Sequence, residues 1–179
     1  MSGKQDTYKL TFSGFGGQGV LTIGLLLAEV AMNKGYNVTW IPSYGAEMRG
    51  GTANCKVIIS NKSIGSPFVK EMDYLIAMNY PSFVKFEELV KADGKILSNA
   101  SLNKGIETTK NVIDVEATDI AAELGNLKVQ NIVILGALFK ELGLFDITDA
   151  KEIFEKKFTG DKAKLIELNL EAFKRGYGA

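Results

Sequence analysis

The sequence predicts an α/β fold: a mostly parallel sheet covered by helices on both faces, with a Rossmann-like glycine turn after the first strand. Three observations predict it. Apolar runs with strand-like alternation take turns with runs of helical period along the whole chain. The first such pair is joined by a glycine-rich turn, as in a βαβ unit. No repeat, low-complexity tract or long linker interrupts the pattern, so the 179 residues read as a single domain, 1–179.

In chain order, YKLTFSG (8–14) alternates as a strand, and QGVLTIGLLLAEVAMN (18–33) turns helical. GYNVTWIP (35–42) reads as the second strand, stopped by Pro42, and SYGAEMRGG is a loop punctuated by its paired glycines. TANCKVIIS (52–60) and DYLIAMN (73–79) are two further strands, with KSIGSPFV a short extended piece between them. PSFVKFEELV starts with proline at a favoured first-turn position and reads as a helix, with Gly94 as its stop and KILSNA as the next strand. NVIDVEA is a strand and TDIAAELG a helix, with Thr118 as its cap and Gly125 as its stop. NIVILGALFKELG, TDAKEIFEKKF and DKAKLIELNLEAFKRG close the chain as helices.

The first helix has Glu29 as its only charge between Gly14 and Asn33, so it lacks a polar face, and IVILGALF (132–139) repeats the pattern. Helices apolar all round need cover on every side. We infer burial against other subunits, with a place in the middle of this domain as the alternative. Neither stretch has the uninterrupted length of a membrane span.

Composition removes whole classes of chemistry. The chain has no histidine, which excludes the Ser-His-Asp triad and nearly all conventional zinc sites. A single cysteine, Cys55, excludes an internal disulfide and a four-thiolate iron–sulfur cluster held by this chain alone. Twenty-one basic residues balance 21 acidic ones, so no net field favours nucleic acid or an anionic membrane. The polar start, MSGKQDTYKL, has no signal-peptide core, which reads as cytoplasmic. No residue stands out as a proton-transfer catalyst or a metal ligand.

Two stretches carry the candidate site. In SGFGGQGVLT, Gly14, Gly16 and Gly19 satisfy G-x-G-x-x-G between a strand and a helix, where bare backbone and a helix N-terminus hold a phosphate. Thr39, Trp40 and Ile41 stand where a nicotinamide site needs an acid for the ribose, so a dinucleotide dehydrogenase is disfavoured. A tight turn with close packing and no ligand is the alternative. Gly17 and Gln18 exceed what the fingerprint needs, and a glutamine there offers a donor and an acceptor to a ligand or a neighbouring chain. In PSYGAEMRGGTANC, Glu47 and Arg49 lie in a glycine-flanked loop at the carboxyl end of a strand, where ligands bind in open α/β sheets. Arg49 suits a phosphate or carboxylate, and a solvated Glu–Arg contact is the alternative.

GFGGQGV followed by WIPSYGAEMRGGTANCKVIIS closely resembles the gamma subunit of the 2-oxoacid:ferredoxin oxidoreductases, and IGSPFV, DYLIAMN and NIVILGAL agree. The resemblance implies a non-autonomous subunit of a complex that oxidatively decarboxylates a 2-oxoacid to its acyl-coenzyme A and reduces ferredoxin. It implies thiamine diphosphate and iron–sulfur clusters on partner alpha, beta and delta subunits, coenzyme A as co-substrate, and no cofactor bound by this chain alone. The loop leans toward the 2-oxoglutarate and 2-oxoisovalerate branches, with the indolepyruvate enzyme still open. Carried over as binding residues are Gly14, Gly16, Gly17, Gln18 and Gly19 of the turn, and Ser43, Tyr44, Gly45, Glu47, Arg49, Gly50 and Gly51 of the loop. The isolated chain is expected to satisfy its orphan interface as a homodimer. The competing reading is a stand-alone nucleotide- or coenzyme-A-binding module.

Overall fold

A computed structural model describes residues 6–43 and 52–179. The strands are β1 (Thr7–Phe15), β2 (Asn37–Ser43), β3 (Thr52–Ser60), β4 (Met72–Ala77), β5 (Val90–Asn99) and β6 (Asn111–Val115). The helices are α1 (Val20–Asn33), α2 (Tyr80–Phe86), α3 (Ala117–Glu123), α4 (Gln130–Leu142), α5 (Ile147–Lys157) and α6 (Ile166–Tyr177). One six-stranded sheet runs β2-β3-β1-β4-β5-β6. β1, β4, β5 and β6 pair in parallel, whereas β3 is antiparallel to both β1 and β2. The mostly parallel sheet therefore contains one reversed strand, and β2, reversed twice, runs with the majority.

Strand alternation divides the side chains between two cores. Leu10 and Phe12 of β1, Cys55 and Val57 of β3 and Ile76 of β4 face a large cluster built by α1, α3, α4, α5 and α6. Ile58, Leu75 and Ile96 face a smaller cluster closed by Phe83 and Phe86 of α2. Both faces carry helices, but unequally.

The thick face explains the two apolar helices. α1 packs against β1, β2, β3, α4 and α5, and buries Val20, Ile23, Leu26, Leu27, Val30 and Ala31. α4 buries every residue from Asn131 to Phe139. The inference that these helices need other subunits for cover is thus corrected: both lie in the middle of this domain. α4 and α6 approach so closely that a Cβ at Gly136 would sit 2.1 Å from Phe173 O, and one at Gly176 would sit 1.8 Å from Val133 O. Phe139 meets the Phe173 ring edge-on at 5.0 Å, filling the space beside that crossing.

Three local expectations differ from the structure. Gly94 does not stop a helix: α2 ends at Phe86, a 3-10 turn follows, and Gly94 lies inside β5. A Cβ there would come 2.7 Å from Val90 Cγ1 and 3.0 Å from Asp73 O, so the glycine answers to close packing and not to a turn. Thr118 does not cap α3, which begins at Ala117 after an N-cap, Glu116, that makes no side-chain bond. DKAKLIELNLEAFKRG is not helical in one piece: Gly160–Leu165 forms a 3-10 helix before α6 begins.

Candidate functional site at the carboxyl edge of the sheet

The site forms where the chain leaves β1 between a strand that runs back, β3, and one that runs on, β4. Open α/β sheets bind ligands at such switch points. Gly14 ends the buried part of β1, and a Cβ there would collide with Gln18 Oε1, Val20 Cγ1 and Met78 Cβ at 2.7–2.9 Å. Gly16 and Gly17 are exposed. Gly17 and Gly19 hold φ of 93° and 73°, which side-chain-bearing residues seldom adopt. Gly19 is the N-cap of α1, and its lack of a side chain leaves the first amides of the helix without a side-chain cap. The first turn of α1 carries no acidic residue. A 14-residue helix with that start presents the positive end of its dipole at the turn, with no side-chain cap on its first amides.

Gln18 spends most of its hydrogen-bonding capacity inside the protein. Phe15 N–H donates to its Oε1 at 2.7 Å, Asn79 Nδ2 donates to the same oxygen at 2.8 Å, and Gln18 Nε2 donates to Met78 O at 3.3 Å. Only one Nε2 hydrogen remains for anything outside. Gln18 therefore straps the glycine turn to the end of β4, where Asn79 in turn caps α2 by accepting from Ser82 N–H at 2.9 Å.

The strap belongs to a closed circuit of neutral groups. Met78 O also accepts from Asn99 Nδ2 at 3.3 Å, Asn99 Nδ2 reaches Thr118 Oγ1 at 2.9 Å, and Thr118 Oγ1 donates to Gln130 Oε1 at 2.9 Å. Next to Gln130, Asn131 Nδ2 donates to Gly19 O at 3.3 Å, which returns the circuit to the turn. Five segments are thus held around the start of α1 by amides and one hydroxyl. None of these side chains titrates, so the frame does not change with pH. Asn131 is 7% exposed, and its Oδ1 has no partner among the described residues.

Ser43 is the last residue of β2 and is exposed. It pairs with Asn54, which pairs on its other side with Ser13, one residue before Gly14. Thr52 pairs with Phe15. The loop after Ser43 is therefore anchored at both ends to the edge that carries the glycine turn. Tyr44, Gly45, Glu47, Arg49, Gly50 and Gly51 lie outside the described residues. Cys55 is fully buried under α1, where a Cβ at Gly24 would lie 2.4 Å from its sulfur, and burial pushes its thiol up to about 12. It is a packing residue.

Sequence reasoning missed Asn79, Asn99, Gln130 and Asn131. Asn79 had a local signal, an asparagine two residues before a proline that opens a helix. The other three carry none, because their partners are distant in sequence. Around the same edge Phe15, Tyr80, Leu102 and Leu127 are 42–55% exposed. Among the described residues no cluster of His, Cys, Asp or Glu suits a metal ion, and no helix is long and apolar enough to cross a membrane.

Residues 9–179 match the family model described as pyruvate ferredoxin/flavodoxin oxidoreductase. The chain is 38% identical over 170 residues to ketoisovalerate oxidoreductase subunit VorA of Methanothermobacter thermautotrophicus, covering 94% of this chain and 35% of that protein. It thus spans about a third of that relative's length. It is 33% identical to 2-oxoglutarate synthase subunit KorC of Methanocaldococcus jannaschii, covering 94% of this chain and 91% of that one. The fold matches the crystal structure of the keto/oxoacid ferredoxin oxidoreductase gamma subunit from Geobacter sulfurreducens with a TM-score of 0.82 and 28% identity, covering 96% of each chain.

Proposed function

Because the chain belongs to the pyruvate ferredoxin/flavodoxin oxidoreductase family, we propose that it is the gamma-type subunit of a thiamine-diphosphate-dependent 2-oxoacid:ferredoxin oxidoreductase. It packs against alpha and beta subunits, with a delta subunit and ferredoxin completing electron transfer, in a cytoplasmic complex. The matches with the KorC subunit and with one part of the longer VorA polypeptide support this subunit type. Exposed Phe15, Tyr80 and Leu102 at the carboxyl edge support a subunit face there.

The observation that carries the reading is the uncapped start of α1, built from glycines and framed by neutral amides. Such a surface binds an anion and moves no proton. Its ligand in this reading is a phosphate of coenzyme A, held by the glycine-turn amides and by Arg49 from the adjoining loop. Glu47 and the paired Gly50 and Gly51 serve the same loop, and Ser43 and Tyr44 begin it. With one cysteine, fully buried, this chain's donor set does not fit a four-thiolate cluster, so the clusters belong to partner subunits. Thiamine diphosphate, on the alpha and beta subunits, supplies the carbanion chemistry. The residues of this chain bind and orient.

The test is to purify the tagged chain without oxygen from its own cells, identify the proteins that travel with it, and assay iron and thiamine diphosphate. Stoichiometric partners with both cofactors, and dye reduction dependent on 2-oxoglutarate or 2-oxoisovalerate, are the expected result. A lone chain without either cofactor, monomer or homodimer, supports the stand-alone binding module instead. An Arg49→Ala complex that assembles should show a raised coenzyme A Michaelis constant. An unchanged constant and turnover remove Arg49 from the coenzyme A site.

A further inference from the structure

On the helical side of the domain, two adjoining hollows of about 190 and 160 Å³ share Thr22 and Phe158 as a common wall. Together they form a trough between α1 and the chain that links α5 to α6. Its floor is apolar: Leu25 of α1, Ile132 of α4, Phe158, Leu165 and Leu168. Its amides are largely engaged. Asn126 Oδ1 accepts from Lys128 N–H, Asn169 Nδ2 donates to Leu165 O at 2.7 Å, and Asn131 Nδ2 donates to Gly19 O.

Every charged residue that lines the two hollows is a lysine. These are Lys128, Lys157 and Lys162, and residues 156–164 contain four lysines against Asp161. Glu29 neutralises Lys157 across the trough at 2.5 Å. Lys128 and Lys162 are exposed and form no ion pair among the described residues. An apolar slot whose two ends carry ammonium groups without an ion pair among the described residues complements an apolar side chain flanked by carboxylates. The lysines contribute orientation and choice of partner, and the slot contributes the buried area.

We propose that this trough docks an acidic segment of a partner subunit, whose apolar side chain enters between Leu25 and Phe158 while its carboxylates meet Lys128 and Lys162. The proposal rests on the reading of the chain as a subunit. It adds an interface on the helical side of the domain, adjoining the glycine turn through Asn131.

The experiment uses the complex purified through this chain. A zero-length carbodiimide reagent couples adjacent amines and carboxylates, and peptide mass spectrometry identifies the pairs. In parallel, lysine acetylation rates are compared between the complex and the isolated full chain. The expected result is coupling of Lys128 and Lys162 to Asp or Glu of a co-purifying subunit, with several-fold slower acetylation of both lysines in the complex. A Lys128→Glu, Lys162→Glu variant, and separately a Thr22→Arg variant that fills the slot, should each retain several-fold less of that subunit while keeping the wild-type circular dichroism. If the complex forms with both lysines as reactive as in the isolated chain and with both variants fully assembled, the docking proposal is overturned and the subunit reading stands. If the chain elutes alone, both fall.

Discussion

Gly19→Ala tests whether the start of α1 is built as described. Gly19 holds φ at 73°, and a Cβ there would lie 2.2 Å from Asn131 Nδ2, far inside contact distance. The left-handed conformation costs an alanine about 1–2 kcal/mol. Asn131 is buried on α4, so its amide must turn away and give up the bond to Gly19 O, a loss of about 1 kcal/mol. The sum is about 2–3 kcal/mol. Gly17→Ala is the control: φ is 93°, nothing lies within 4 Å of the added methyl, and the backbone cost of about 1–2 kcal/mol stands alone. Urea unfolding should therefore place Gly19→Ala about 1 kcal/mol or more below Gly17→Ala at equal m-value. The double variant Gly19→Ala, Asn131→Ala removes the collision and should lose less than the two single variants combined. Equal losses for Gly17 and Gly19, or strict additivity with Asn131→Ala, would refute the reasoning.

Other consequences are as direct. Gly176→Ala forces its methyl against the backbone oxygen of Val133, and helices α4 and α6 must part; overpacking of this kind costs about 1–3 kcal/mol, and an unaltered melting temperature would show that the crossing is looser than described. Gln18→Ala strips the partners from Phe15 N–H and from the buried Asn79 amide, a loss of about 1–3 kcal/mol; hydrogen exchange at Phe15 should quicken, and an unchanged rate counts against the strap. The raised Cys55 thiol makes alkaline stability pH-dependent. The folded chain keeps the thiol proton between about 9 and about 12 while the unfolded chain loses it. Stability is therefore intact below that window and falls through it by up to about 1.4 kcal/mol per pH unit. Urea titrations at both ends of the window should show a flatter decline for Cys55→Ala, and parallel declines would deny the thiol this role.

Much of the fold is legible locally because the signals are local. YKLTFSG, the glycine turn and the long apolar helix appear as β1, the turn and α1, since alternation, positive-φ glycines and helical period are each written within a few residues. GFGGQGV and the following loop carry the family resemblance within local sequence, and residues 9–179 match the family. Gly94 shows the limit of local reading: a glycine that ends a helix and one that lets a strand pass Val90 and Asp73 O look alike in sequence. The same holds for α1 and α4, whose apolar surfaces state that cover is needed but not whether this chain or another supplies it.

Composition alone limits the side-chain chemistry of these 179 residues, since without histidine and with one cysteine they cannot assemble a histidine-based catalyst or a four-thiolate cluster by themselves. Local pattern determined where most of the strands, the helices and the glycine turn would lie. The reversal of β3, the meeting of Gly136 and Gly176, and the circuit from Gln18 through Asn99 and Asn131 back to Gly19 were decided only in three dimensions. Asn131 and Gly19 are 112 positions apart. A hydrogen bond across that separation has no signature in either residue's neighbours, because the chain's packing, and not its local conformational preference, brings the two together.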